Sequence, residues 1–396
     1  MPRKRSPLLE LFLIYLRLGF TSFGGPVAHL GYFRDEFVSR KKWLTDEAYA
    51  DLVALCQFLP GPASSQVSYA IGYLRMGWWG GFLAWCGFTL PSAIALILFG
   101  YGLASFGGAA ESGWVLGLKL AAVAVVAKAL WGMGTKLCPS RTTVTFALLA
   151  ATIVLLFPTA WAQVGVIILG ALAGWAILEA PQKTSTSKGK QTQLSSKTGI
   201  ICLSVFAFLL IGSWVIASLS SSRWIESFDA FYRSGSLVFG GGHVVLPLLE
   251  EAVVTPGWID QDTFLAGYGA AQAVPGPLFT FSAFLGTSMN DSPNGWIGGL
   301  FCLVAIYIPS ILLVTGLLPF WERIRANTAA KRALAGTNAA VVGLLLAAFY
   351  NPVWTNAILS PQAAAFALVG FLLLHFWKMP PWALVILSGF AGWIVF

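Results

Sequence analysis

Apolar residues run along this chain in long stretches separated by short polar loops, and four of the stretches are interrupted from within. The plain ones lie at about 78–106, 113–136, 142–157 and 162–179, then at about 295–319, 333–350, 357–376 and 381–396, with one more at 199–219. The interrupted ones lie at about 8–40, 47–75, 226–251 and 262–289, each broken by Gly or Pro. Runs of this length predict spanning helices, because every backbone N–H and C=O in lipid needs a partner within its own segment. The period-two alternation of a transmembrane barrel is absent. Leu8 to Ser22 makes a helix of only about 22 Å, against a hydrocarbon core of about 30 Å, so it reaches the midplane rather than crossing comfortably.

The interruptions come in matching pairs. Arg17-Leu18-Gly19-x-x-x-Phe23-Gly24-Gly25-Pro26 returns as Arg233-Ser234-Gly235-x-x-x-Phe239-Gly240-Gly241-Gly242, and Gln57-x-x-Pro60-Gly61-Pro62 returns as Gln272-x-x-Pro275-Gly276-Pro277. Trp43-Leu44-Thr45 answers Trp258-Ile259-Asp260, and Pro91-Ser92 answers Pro309-Ser310. A duplicated apolar unit that breaks its helices at corresponding places is the sequence mark of many secondary transporters, whose sites lie at the breaks. The domains read from this are a first transporter repeat at 1–180, a basic linker at 181–198, a connecting helix at 199–219 and a second repeat at 220–396.

Composition narrows the class and charge orients it. A 396-residue chain with 57% hydrophobic and 10% charged residues, and a mean hydropathy of +0.76, has too little polar surface for a soluble globule. Its net charge of +8 does not mark a nucleic-acid partner, because the basic residues gather in short loops. If each interrupted segment enters and leaves on one side, then Arg34, Arg40, Lys41, Lys42, Arg75, Lys136, Arg141, the linker lysines, Arg323, Arg325, Lys331, Arg332 and Lys378 all fall inside. Glu111, Glu250, Glu251, Asp260, Asp262 and Asp291 then fall outside with Arg223. The helix at 199–219 flips the second repeat relative to the first. The expectation is an all-α integral membrane protein of two inverted-topology repeats with interrupted or re-entrant hairpins, about nine full spans plus four hairpin segments. Its N-terminus is cytoplasmic, its C-terminus outside, and no cleaved signal peptide precedes it.

The candidate chemistry sits at the breaks. Gly24, Gly25 and Pro26, and Pro60, Gly61 and Pro62, can expose backbone N–H groups at new helix starts, where the helix dipole favours an anion. Ser64 and Ser65 add hydroxyl donors. Gly240, Gly241, Gly242 and His243, with Pro275, Gly276 and Pro277, supply the second copy. For any one break alone, a tight turn or kink is the competing reading. Arg17 and Arg233 stand at equivalent places before the glycines, where a charge at membrane depth needs a partner, a path or a route to the interface. Lys119 aligns with Asn338 and breaks the symmetry; Lys128 on the same helix reads as a side chain reaching for the interface. Gln57 and Gln272 are ligand donors or amides satisfying a broken helix. His29, His243 and His375 are too dispersed for a metal site, and the five cysteines show no disulfide or metal spacing. A membrane-embedded transferase lacks its usual acidic and histidine clusters, so neither cofactor nor metal is expected.

These motifs resemble the chromate ion transporter family in its long form, with two homologous domains in one chain. The similarity covers nearly everything outside the linker. It implies export of chromate from the cytoplasm across a bacterial inner membrane, conferring resistance, with sulfate as the competing structural mimic. Uptake of sulfate or another oxyanion is the alternative. The family's motifs fall here on Arg17, Gly24, Gly25, Pro60, Gly61, Pro62, Arg233, Gly240, Gly241, Gln272, Pro275, Gly276 and Pro277. Membrane lipid surrounds the chain, and a homodimer is compatible with it.

Overall fold

A computed structural model describes residues 6–105, 113–179, 195–239 and 242–395. Gly240, Gly241 and residues 181–194 of the expected linker lie outside them. The described residues are helical throughout, with no strand. Five helical segments among them are long and apolar enough to cross a membrane, and several shorter apolar helices accompany them. The chain is a multi-pass membrane protein.

The first half begins with α1 (Pro7–Thr21) and α2 (Gly25–Arg34), whose last turn widens into a π-helical stretch at Asp35–Arg40. Next come α3 (Asp46–Phe58) and α4 (Ala63–Ser105), which is kinked where Met76 and Gly77 leave helical geometry. Then follow α5 (Gly113–Leu137), α6 (Arg141–Leu156) and α7 (Ala160–Ile177). After α8 (Ser196–Leu219) the sequence of elements repeats. α9 (Arg223–Leu237), a short 3-10 turn at Gly242–Val244 and α10 (Val245–Val253) answer α1 and α2. α11 (Gln261–Ala271), α12 (Phe281–Ser288) and α13 (Gly295–Leu317) answer α3 and the two limbs of α4. A short α14 (Trp321–Ala326) leads to α15 (Thr328–Ala348); α16 (Thr355–Ala357), α17 (Pro361–His375) and α18 (Pro381–Val395) complete the chain.

The repeated Trp-x-Thr/Asp motif now has a local cause. Thr45 accepts a hydrogen bond from Ala48 N at 3.2 Å and so caps α3. Asp260 accepts one from Thr263 N at 2.8 Å and caps α11. Each satisfies a backbone donor that the first helical turn leaves unpaired.

Matching positions of the two halves also make matching contacts. Within the first half Gly19 lies against the Pro91 ring, and within the second Gly235 lies against Pro309. Between the halves, α5 packs on α17 and α18, while its counterpart α15 packs on α6 and α7. Gly117 and Gly392 meet at the first of these seams, and Gly336 and Gly174 at the second. A Cβ at Gly117 would enter Ser388 O, and one at Gly336 would enter Gly170 O. In lipid, where helices gain nothing from burying apolar surface against each other, such close backbone approach is what holds them together. α8 lies at the periphery, with Ile200, Ile201, Phe208 and Leu219 exposed for lipid.

Candidate functional site

The breaks come together as reciprocal backbone pairs. Gly61, in the first Pro-Gly-Pro, donates its N–H to Val238 O at 2.6 Å, just before the second Phe-Gly-Gly. Gly276, in the second Pro-Gly-Pro, donates to Ser22 O at 2.9 Å, just before the first Phe-Gly-Gly. Ser22 and Val238 are equivalent positions, so the halves exchange one bond each. Both glycines are left-handed, with φ +117° at Gly61 and +102° at Gly276. A Cβ at Gly61 would strike the Ser310 hydroxyl, and one at Gly276 would stand 2.9 Å from that of Ser92. Those two serines are themselves equivalent. The motifs Pro-Gly-Pro and Pro-Ser therefore recur because they face each other across the halves.

Buried polar atoms gather around this junction. His29 is almost fully enclosed; its Nε2 lies 3.1 Å from Ser22 O and its Nδ1 3.3 Å from Ser64 Oγ. A carbonyl only accepts, so Nε2 carries the proton and Nδ1 receives the Ser64 hydroxyl. The ring stands edge-on to Phe88. Gln66 donates to Pro60 O at 2.6 Å, tying the Pro-Gly-Pro turn to the start of α4. Ser65 approaches the Tyr307 hydroxyl at 3.5 Å from across the halves. Ser22 Oγ, Gln66 Oε1, Gln272 Nε2 and Ser310 Oγ are buried without a hydrogen-bond partner among the described residues. Buried polar atoms are rarely left so unless something else, solvent or solute, completes them.

Of the residues marked by the sequence, Gly61, Pro62, Ser64 and Ser65 are buried here, and Gly276 and Gln272 are half-buried. Pro60 and Pro275 flank the glycines, and Pro277 is buried where the chain enters the turn before α12. Gly24 is exposed and Gly25 and Pro26 are half-buried at the start of α2, while a Cβ at Gly242 would come within 4 Å of Pro26 and Leu278. His243 shares a 2.7 Å hydrogen bond with the Tyr268 hydroxyl. Gln57 is exposed.

The cations are already committed. Arg17 pairs with Glu36 at 2.6 Å, and Arg40 holds the same carboxylate at 2.8 Å. Glu36 is 4% exposed while Arg17 is 48% exposed. Arg233 pairs with Asp229 at 3.0 Å, one turn back on α9, and Asp229 also takes the Ser213 hydroxyl at 2.8 Å. Lys119, only 7% exposed, pairs with Asp262 on α11 at 2.6 Å. Asn338, its counterpart, has a buried Oδ1 with no partner among the described residues. The Arg233–Asp229 and Arg40–Glu36 pairs have i,i+4 spacing and could have been found in the sequence, whereas Arg17–Glu36 and Lys119–Asp262 could not. Glu36 turns inward because the π-helical stretch rotates the end of α2, and Asp262 meets Lys119 only through long-range packing.

The family model described as chromate transporter matches residues 9–175 and again 225–393. The chain belongs to the chromate transporter family. It is thus a membrane transporter rather than an enzyme. Among its relatives, the chromate transport protein of Pseudomonas aeruginosa is 25% identical over 98% of this chain and 92% of its own length. That of Cupriavidus metallidurans is 26% identical over 94% and 89%. The probable chromate transport protein of Synechococcus elongatus is 26% identical over 86% and 83%. No solved structure matches.

Proposed function

We propose that this chain carries chromate outward across the bacterial inner membrane, holding the dianion at the junction of its helix breaks. The observation that carries the reading is the reciprocal pair of backbone bonds, Gly61 to Val238 and Gly276 to Ser22. It brings both Pro-Gly-Pro turns beside the residues preceding both Phe-Gly-Gly breaks, among four incompletely bonded polar atoms. Helix starts and hydroxyls are suited to a tetrahedral oxyanion. In this state Arg17 and Arg233 stay on their carboxylates, so the first recognition falls to N–H groups and to Ser64 and Ser65. The two arginines join the anion when Glu36 or Asp229 gives way to it.

The two repeats are read as inverted about the midplane, with N-terminus inside and C-terminus outside. The one-sided basic loops and the exchanged contacts support this, since opposed repeats give the two interchangeable arrangements that alternating access needs. An inside-negative potential favours exit of a dianion by about 4.6 kcal/mol at 100 mV, from about 2.3 for each charge. Purified protein in liposomes, loaded with chromate and given an internal negative potential, is expected to release chromate faster than protein-free liposomes, with sulfate competing. Accumulation of sulfate without chromate release would replace export by oxyanion uptake. Movement of neither anion would overturn the transport reading.

A further inference from the structure

Of the four basic side chains that the sequence reading placed inside apolar or interrupted helices, three have a carboxylate: Arg17 has Glu36, Lys119 has Asp262 and Arg233 has Asp229. The fourth, Lys128, sits inside α5, nine positions before Leu137, and makes no ion pair or hydrogen bond among the described residues. It is half-buried. The groups that act on it electrostatically are cationic or neutral bases: Lys378, between α17 and α18, and His243, in the turn after the second break. A cation inside an apolar helix without a carboxylate to pair with is costly, and is usually kept for a solute.

The placement ties these groups to the junction. One turn along α5 from Lys128, the Trp131 ring lies 5.6 Å from that of His375, three residues before Lys378. Four residues after Lys378, Trp382 packs on Phe23 of the first Phe-Gly-Gly at 5.7 Å. His243 follows Gly242, which lies beside Pro26. So the α5 face bearing Lys128, the turn before α18 and both Phe-Gly-Gly breaks adjoin. Lys378 is also one of two non-glycine residues among those described, with Lys42, that hold positive φ, at 57°. Backbone held in that region costs energy and tends to mark functional places.

Resting on the oxyanion reading above, we infer that Lys128 and Lys378, beside His243, form the charge-neutralising subsite for the transported dianion. Two ammonium groups match two negative charges. The site is asymmetric, because the position in α15 equivalent to Lys128 lies in the apolar stretch Leu344-Leu345-Leu346-Ala347.

Amine-reactive labelling of the reconstituted full-length protein, read residue by residue by mass spectrometry, tests this together with flux. Chromate or sulfate, but not equal ionic strength of chloride, is expected to protect Lys128 and Lys378 at least threefold, leaving Lys136 unprotected. Lys128→Met is expected to raise the KM for chromate at least tenfold, with Lys128→Arg restoring it to within about threefold. An unprotected Lys128, or a KM within twofold of wild type for Lys128→Met in protein that elutes as a single species, would overturn the subsite. The transport reading would stand in that case if the wild type still moved chromate. Absence of flux and of protection in the wild type would overturn both.

Discussion

At the scale of single residues, Gly61 and Gly276 carry the tightest constraint. Each combines positive φ with a serine hydroxyl where a Cβ would go. Gly61→Ala is expected to destabilise the detergent-solubilised protein by about 1–3 kcal/mol through backbone strain and overpacking, and to cut flux sharply. Pairing Gly61→Ala with Ser310→Gly removes the clash with Ser310 but leaves both the strain and the 2.7 Å approach to Gln66 Nε2, so thermal unfolding should show partial recovery only. Full recovery would assign the cost to the Ser310 hydroxyl alone. Arg17→Ala acts differently. It leaves Glu36 buried with Arg40 as its remaining partner, a loss of about 1–3 kcal/mol once the half-exposure of Arg17 is allowed for. Glu36→Gln in the same background should recover most of it. If Arg17→Ala abolishes chromate flux while Arg17→Ala with Glu36→Gln restores it, Arg17 serves the fold and not the anion.

At the scale of elements, the breaks were legible because lipid enforces a simple rule: an unpaired backbone group is allowed only where something else satisfies it. Gly24-Gly25-Pro26 and Pro60-Gly61-Pro62 cannot continue a helix, and α2 and α4 begin at or just after them. Thr45 and Asp260, noted in the sequence only as landmarks of the repeat, turn out to cap α3 and α11. What stayed hidden depends on tertiary distance. Nothing in local sequence says that Lys119 will find Asp262 or that His29 will bridge Ser22 and Ser64. The unpaired state of Lys128 appears only once its neighbours are placed. The Lys119 pair joins α5 to α11, and breaking it from one side should be the more harmful change. Asp262→Asn strands an almost buried ammonium and is expected to cost about 2–4 kcal/mol, reduced because Asp262 is itself 44% exposed. Asp262→Leu with Lys119→Met should come close to wild-type stability in the same unfolding assay. A double variant as unstable as Asp262→Asn would show that the pair does more than satisfy itself.

At the scale of the whole molecule, the halves are interleaved. α5 leans on the last two helices of the second half, and α15 on the last two described helices of the first, each through facing glycines. This exchange places the breaks of both halves at one junction, as the proposed composite site requires. The proposed inversion of the repeats predicts termini on opposite faces. A periplasm-dependent reporter fused after Phe396 should be active, and the same reporter placed before Met1 should not. Reporters active on the same side at both ends would remove the inversion.

The most direct measurement is the stoichiometry of chromate binding to the purified full-length chain by titration calorimetry. One composite junction predicts one dianion per chain, displaced by sulfate and weakened by Gly61→Ala and Gly276→Ala alike. Two independent dianions per chain, each weakened by only one of the two substitutions, would contradict it.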